Sequence, residues 1–545
     1  LQFLPPLVCS LLNWEKIIKI CEEGAGLIRN VQKLLKKKRK KQQKNIVQIP
    51  KPQDTLQEKE IIVHPVLEDN IKFIYEAFCN TDDLKVRDVT FDDRKGKLIY
   101  LETMADTKEI QQSILIPLSE AEETRNVREI ITSPELKITN NLNEAVSALL
   151  MGNCALFFVD GTDFFLFNTI QVNARTPEEP ENEKVVRGSH EGFVENLNIN
   201  LNLIRERVKN PQLMIKYFKL GKETNSNVAI VYMNGLANPS VVEEVKKRIE
   251  SISTGMVFSP GYIEEFIEDH PFSPFQQILF TERPDRAEAH LMEGRVVVMS
   301  EGSADASIVP VTFFSFFQTP DDYNIRFYAG SIFRLIRLFS FWGALTLPAI
   351  YIAVVGFHFE IIPYDLITLV KSSIENIPFP PFFEALFMAI TIELIREAGI
   401  RLPSPIGQTI GIVGGLIIGD AVVNAGLVSN MMIIVIALTA IMSFGIPSYE
   451  MGNTVRILSL PIMIAAATLG FVGIVFVLMI IIIHMCKLDS FGTPYIAPLS
   501  PLHGKDLKDA IVRFPVWSLD HRSKYALAQK QVRQRASREW GKNDR

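Results

Sequence analysis

The stretch Leu338–Phe357, LFSFWGALTLPAIYIAVVGF, runs for twenty residues without a charge. As a helix it is long enough to cross a hydrocarbon core of about 30 Å. Residues 402–419 and 421–449 are also uncharged, and 457–486 holds only His484 among its titratable groups apart from Cys486. Phe382–Ala398 is apolar but carries Glu384, Glu393, Arg396 and Glu397. Together these segments predict an all-α polytopic transmembrane domain over 326–487, with about four to six crossings.

Outward from this block, the charge is unevenly placed. The chain has 545 residues, 47% hydrophobic and 22% charged, with a net charge of −5. Residues 1–60 carry +7, 61–325 carry −17, 326–486 carry −1 and 487–545 carry +6. A basic tail, an acidic soluble part, an apolar block and a second basic tail exclude a purely soluble enzyme. The tail over 1–60 contains KLLKKKRKKQQK at 33–44, read as a solvated run or a segment drawn to anionic lipid. No aromatic residues interleave it for base stacking, so nucleic acid is not expected as a partner. Leu1–Trp14 lacks a basic start and is interrupted by Pro5-Pro6, which argues against a secretory signal.

Between the tail and the apolar block, helical and strand patterns alternate. Leu67–Phe78 and Asn141–Leu150 read as helices, and Val86–Phe91, Lys97–Glu102 and Ala155–Val159 as strands. The first two strands are joined by the turn Asp92–Gly96, and Pro177–Glu181 reads as a linker. A second unit follows, with helices Glu191–Arg207 and Ser240–Ser251 and strands near Met214–Phe218 and Val228–Tyr232. The predicted fold is an α/β two-part headpiece, 61–185 and 186–325, followed by the transmembrane domain and a basic C-terminal tail, 488–545. Ala145–Gly161 and Ala287–Gly302 echo each other: a helix ending in Gly, a short apolar strand, and a second turn Gly. Coincidence and duplication both account for that echo.

No nucleophile motif, phosphate loop or zinc spacing stands out, so neither an enzyme nor a cofactor or metal site is expected. Five dispersed cysteines suggest no disulfide framework. Asp82-Asp83, Asp92-Asp93 and Asp321-Asp322 read as ordinary turn acids. Two features of the apolar block carry more information. In Ile406–Asp420, Gly407, Gly411, Gly415 and Gly419 recur every four residues beside Gly414, leaving one bare helix face. That face serves either helix packing alone or a narrow pathway, at whose end Asp420 and Asn424 supply polar oxygens. The second feature is the intramembrane polar cluster Glu384, Glu393, Arg396 and Glu397, read as an internal ion pair or an ion path.

Several stretches then resemble one family: Pro274–Gln276 with Thr281–Asp285, Glu293–Val296, Leu347–Tyr351, Pro378–Glu384 with Glu393–Gly399, Pro403–Gly419, and Ser490–Pro498 with Arg513–Trp517. They resemble the A subunit of the GerA-type nutrient germinant receptors of spore-forming bacteria, over about residues 61–525. Ser300–Asp305 departs from it, where the family tends to have an Asp-Gly turn followed by apolar residues. The resemblance implies a subunit of a spore inner-membrane complex with a transporter-like B subunit and a lipoprotein C subunit. It further implies homo-oligomerisation and passage or gating of monovalent cations. The alternative is a secondary transporter with a broken Gly-rich helix at its midplane. Basic flanks on both sides of the apolar block place the headpiece and the C-terminal tail in the cytoplasm. That placement needs an even number of crossings, reached either by a re-entrant 405–420 or by splitting 457–486 around Gly470 and Gly473.

Overall fold

The computed structural model describes residues 61–534 apart from 92–93, 121–129, 132–135, 160, 162, 171–178, 181, 258, 376, 403–414, 416–418 and 505. The polybasic run at 33–44 and the Asp92-Asp93 turn therefore lie outside the described residues. Helix α1 (Leu67–Ala77) precedes a hairpin of β1 (Leu84–Phe91) and β2 (Arg94–Leu101). The hairpin is tighter than the five-residue turn expected, since Phe91 faces Arg94 directly. Lys95 and Lys97 are more exposed than Gly96 and Leu98, so the alternation of a strand, and with it the pairing, runs on towards the turn. β3 (Leu136–Thr139), α2 (Leu142–Leu150), β4 (Asn153–Phe158) and β5 (Phe164–Asn168) complete an antiparallel sheet in the order β1-β2-β4-β5-β3.

The second unit opens with α3 (Leu197–Arg207), six residues later than the apolar spacing suggests. Asn196 sets the start, because its side chain accepts the Asn198 and Ile199 N–H groups and closes the first turn. β6 (Leu213–Leu220), β7 (Ser226–Met233), α4 (Pro239–Glu250), α5 (Pro260–Ile267), β8 (Leu279–Thr281), α6 (Pro284–Met292), β9 (Val296–Ser300) and β10 (Ala306–Val309) follow. Their order is β6-β7-β9-β10-β8, again all antiparallel. Strand for strand this is the topology of the first sheet. The two echoing stretches occupy the same place in each, a helix feeding the fourth strand. Gly152 and Gly294 close those helices at φ of +87° and +92°, a conformation that costs glycine little and other residues more. Shared topology at the matching position favours duplication over coincidence.

Both sheets are buried on both faces. Val297 and Met299 of β9 face one core while Val296 and Val298 face another, as the two-residue period of a strand requires. The core holding Val297 and Met299 does not stop at the sheet. It continues through a turn of 3₁₀ helix, Phe313–Phe317, into α7 (Phe327–Phe357), where Phe341 meets Phe317 edge-on at 5.5 Å. α7 begins eleven residues before the uncharged run and is about 46 Å long at 1.5 Å per residue.

Beyond α7 come α8 (Tyr364–Ile374), α9 (Pro381–Arg401), α10 (Asn430–Phe444), α11 (Tyr449–Leu469) and α12 (Phe471–Lys487). α7 and α11 are long and apolar enough to cross a membrane. The run 421–449 is not one helix. The chain turns through Gly426, at φ +64°, and restarts at α10 behind the N-cap Ser429, which accepts the Met432 N–H at 3.3 Å. Likewise 457–486 divides at Gly470, φ +61°. This second break falls where one of the two parity remedies puts it, whereas the break at Gly426 lies in backbone conformation and capping that counting charges does not find. Close by, Gly473 has no room for a side chain: a Cβ there would collide with the Ala465 carbonyl. Gly473→Ala is expected to lower stability by about 2 kcal/mol, an ordinary overpacking cost. By contrast Gly356→Ala, with no described atom within 4 Å, should not lower it. Thermal unfolding of the two variants in detergent measures the difference.

The expected C-terminal tail is folded as far as Gln534. A two-stranded hairpin, β11 (Asp489–Ser490) and β12 (Thr493–Pro494), follows α12 and sets Tyr495 fully buried against Phe275, Phe313 and Phe316. Lys524, Lys530 and Arg533 stay exposed while Arg513 is buried and a few apolar residues anchor the extension, so net charge alone suggests a free tail.

Candidate functional site

α7, α9, α10 and α11 enclose a cavity of about 480 Å³ that is mostly apolar. Its polar end is made by Glu393 and Arg396 of α9 and Arg456 of α11. Glu393 accepts from both guanidinium groups, Arg396 at 3.1 Å and Arg456 at 2.9 Å. Arg396 and Glu393 meet because they are three residues apart on one helix face. Arg456 arrives from a helix 63 residues away, where Tyr449 lies 5.9 Å beneath it. Arg396 in turn lies 5.3 Å from the Phe444 ring. A second opening of about 650 Å³ shares Arg396, Ser443 and Arg456 with the first and reaches Glu183, Arg286 and Asp305 of the headpiece. The carboxylate and two guanidiniums thus stand between the helical cavity and the headpiece.

The other members of the expected polar cluster separate. Glu397 turns to Arg401 at 2.5 Å on an exposed helix face, although it also borders the cavity. Glu384 is 1% exposed and accepts the Ser429 N–H at 2.7 Å, so it caps α10 where the helix dipole favours a negative group. Its second oxygen has no partner among the described residues. Arg456 escapes the sequence reading, although it is the charge immediately before the uncharged run 457–486.

Of the glycine stripe, Gly407, Gly411 and Gly414 lie outside the described residues. Gly415 and Gly419 are described, and no described atom lies within 4 Å of the Cβ either would carry. Asp420 and Asn424 are exposed and bonded to each other at 3.0 Å. Among the described residues, then, nothing packs closely on Gly415 or Gly419. Gly415→Leu is expected to leave the stability of the isolated chain within about 0.5 kcal/mol, as a surface change does. It should still reduce assembly if the stripe meets another polypeptide. Size-exclusion of the complex beside thermal unfolding of the single chain separates the two effects.

Chemically, the arrangement can hold and release charge, but it offers no activated nucleophile. Among the described residues no three His, Cys, Asp or Glu side chains gather to hold a metal.

Residues 72–525 match the family described as Bacillus/Clostridium GerA spore germination protein. The chain is 38% identical over 478 residues to Spore germination protein B1 of Bacillus subtilis (strain 168), covering 86% of this chain and 99% of that protein. It is 37% identical over 469 residues to Uncharacterized membrane protein YfkQ of the same organism, covering 84% and 91%. The solved N-terminal domain of the A subunit of the Bacillus megaterium spore germinant receptor GerK3 aligns with 46% of this chain and 98% of its own, at 25% identity and a TM-score of 0.37. With the family match over residues 72–525 spanning both sheets, the helices and most of the folded extension, the chain belongs to the GerA spore germination protein family, as a subunit of the A type.

Proposed function

We propose that the protein is the A subunit of a nutrient germinant receptor and acts there as an oligomeric, gated, ion-conducting component of the spore inner membrane. It works beside a transporter-like B subunit and a lipoprotein C subunit, with lipid around its helices and monovalent cations as the moving species. The headpiece and the C-terminal extension face the cytoplasm, and the protein is not an enzyme. The observation that carries this reading is Glu393 held between Arg396 and Arg456, where the helical cavity meets the opening towards the headpiece. Apolar side chains left outside the bundle support the membrane setting: Val472 is 70% and Val475 65% exposed, which lipid tolerates and water does not.

The test is cation flux through the reconstituted three-subunit receptor, with and without nutrient. Glu393→Gln leaves two guanidiniums unbalanced in the path. One added unit charge at about 4 Å is worth about 4 kcal/mol at an effective dielectric of 20, before screening by the half-exposed surroundings of Glu393. Cation flux should fall at least about tenfold, a barrier change of only 1.4 kcal/mol. Arg456→Gln should raise basal flux. Nutrient-driven flux that neither substitution alters would remove the cluster from the path. Substrate uptake in place of cation flux would mark a transporter.

A further inference from the structure

A separate cavity of about 390 Å³ lies between α6, the Phe313–Phe317 turn and the C-terminal extension. Arg295, in the link from α6 to β9, lines it and is only 7% exposed. The neighbouring guanidiniums are matched: Arg286 is bonded to Glu183, and Arg533 to Glu293 at 2.8 Å. Among the described residues Arg295 has no carboxylate partner. It donates from Nη1 to the neutral Ser315 hydroxyl at 3.2 Å, and its Nε has no acceptor. The acids around the cavity are already engaged. Asp285 holds Arg283 at 2.8 Å, Asp506 accepts the Lys524 N–H at 3.1 Å, and Asp509 holds Arg334 at 3.0 Å and the Tyr323 hydroxyl at 2.8 Å.

Burial draws the Arg295 pKa down to about 10, so the group stays cationic at neutral pH. Burial, with Arg295 and Arg286 nearby, pushes His290 well below the usual imidazole range, so this wall carries no second free cation from histidine. A buried guanidinium without an anion is unfavourable, and a planar fork with unused donors fits a carboxylate in bidentate fashion. Phe314, Ala289 and Pro498 add apolar wall beside it.

We propose that this cavity is a binding site for a small organic carboxylate with a short apolar body, to which Arg295 donates its free N–H groups. Arg295 is the buried cation of this lining without a carboxylate among the described residues, and the partly buried Lys508 also borders the cavity. The guanidinium suits a monoanion, whereas a phosphate dianion would bring a second negative charge beside Asp509 and Glu293. The Tyr323 and Asp509 groups in the same wall hold Arg334 at the foot of α7, so occupancy bears on the joint between headpiece and helices. The site does not depend on the ion-conduction reading.

Thermal unfolding of the full-length protein in detergent, titrated with sodium butyrate, tests it, with butyramide as the uncharged control and inorganic phosphate as the competing anion. A ligand that binds only the folded state raises the midpoint in a saturable way. Butyrate should do so in the wild type and butyramide should not. Arg295→Met should abolish the response while leaving the ligand-free midpoint equal or higher, since the unpaired charge is gone. Arg295→Lys should weaken butyrate about tenfold by losing the fork, and it serves as the charged variant should the Met variant fail to fold. The same stabilisation by butyrate and butyramide, a butyrate response that survives in Arg295→Met, or stabilisation by phosphate alone would each overturn the proposal. So would loss of self-assembly in Arg295→Met together with no butyrate response in the wild type, which would assign the guanidinium to an interface between copies.

Discussion

Arg205→Met is expected to lower stability by about 3–5 kcal/mol, the usual result of removing one partner from a fully buried ion pair. Arg205 and Asp83 are both 0% exposed, with Nη2 at 2.9 Å from the carboxylate and Nε at 3.2 Å. Asp83 also accepts from Thr81 at 2.6 Å and Thr103 at 2.8 Å. The pair joins the two duplicated units. Asp83 leads into β1, Arg205 lies on α3, and the same segment bonds to the β6 edge through Asp82 N–H to the Ile215 carbonyl at 3.1 Å. Without the guanidinium, a carboxylate stays in the interior with only the Thr81 and Thr103 hydroxyls as side-chain donors among the described residues. Asp83→Leu combined with Arg205→Met should recover much of the loss, because both charges are then gone. Asp82→Asn, at the partly exposed bridge to Lys216, should cost under about 1 kcal/mol. Chemical or thermal unfolding of the wild type, Arg205→Met, Asp83→Leu and the double variant gives the cycle, with Asp82→Asn measured beside it. An Arg205→Met midpoint equal to the wild type would mean that the pair contributes nothing.

Asp322→Asn should have a comparable effect, about 3–5 kcal/mol, but at the joint between headpiece and helices. Asp322 is 0% exposed and receives Arg334 Nε at 3.1 Å and Arg337 at 2.9 and 3.0 Å. Both arginines belong to the first three turns of α7, and Arg334 reaches on to Asp509 of the C-terminal extension. Asp322 therefore pairs with two guanidiniums, one of them shared with Asp509, where three parts of the molecule meet. Its loss should loosen the extension as well as the helix. Arg513, 4% exposed and bonded to the Ile325 carbonyl at 3.2 Å, should become a trypsin site in Asp322→Asn but stay protected in the wild type. An unchanged digestion pattern with an unchanged midpoint would sink this account.

The same acids mark how far the sequence can be read. Charge placement, strand alternation and uncharged runs locate the α/β headpiece and the helical part, because burial periodicity is a local property of the chain. The glycines closing α2 and α6 are legible for the same reason, and so is the Glu393–Arg396 contact, three residues apart on one helix. Asp82-Asp83 and Asp321-Asp322 look like turn acids because nothing within a few residues separates a solvated aspartate from a buried one. Asp83 finds its partner 122 residues away, and Glu393 finds Arg456 63 residues away. The helix break at Gly426 is set by backbone conformation that hydropathy does not register, and the one at Gly470 is one of two alternatives that crossing parity leaves open. The folding of the C-terminal extension depends on a few apolar anchors such as Tyr495 outweighing its charge. The sequence by itself determined what is local: element type, the apolar block and the repeated helix-glycine-strand pattern. Only the tertiary structure decided which charges are buried together, because desolvation and pairing are properties of the assembled interior and not of any segment of the chain.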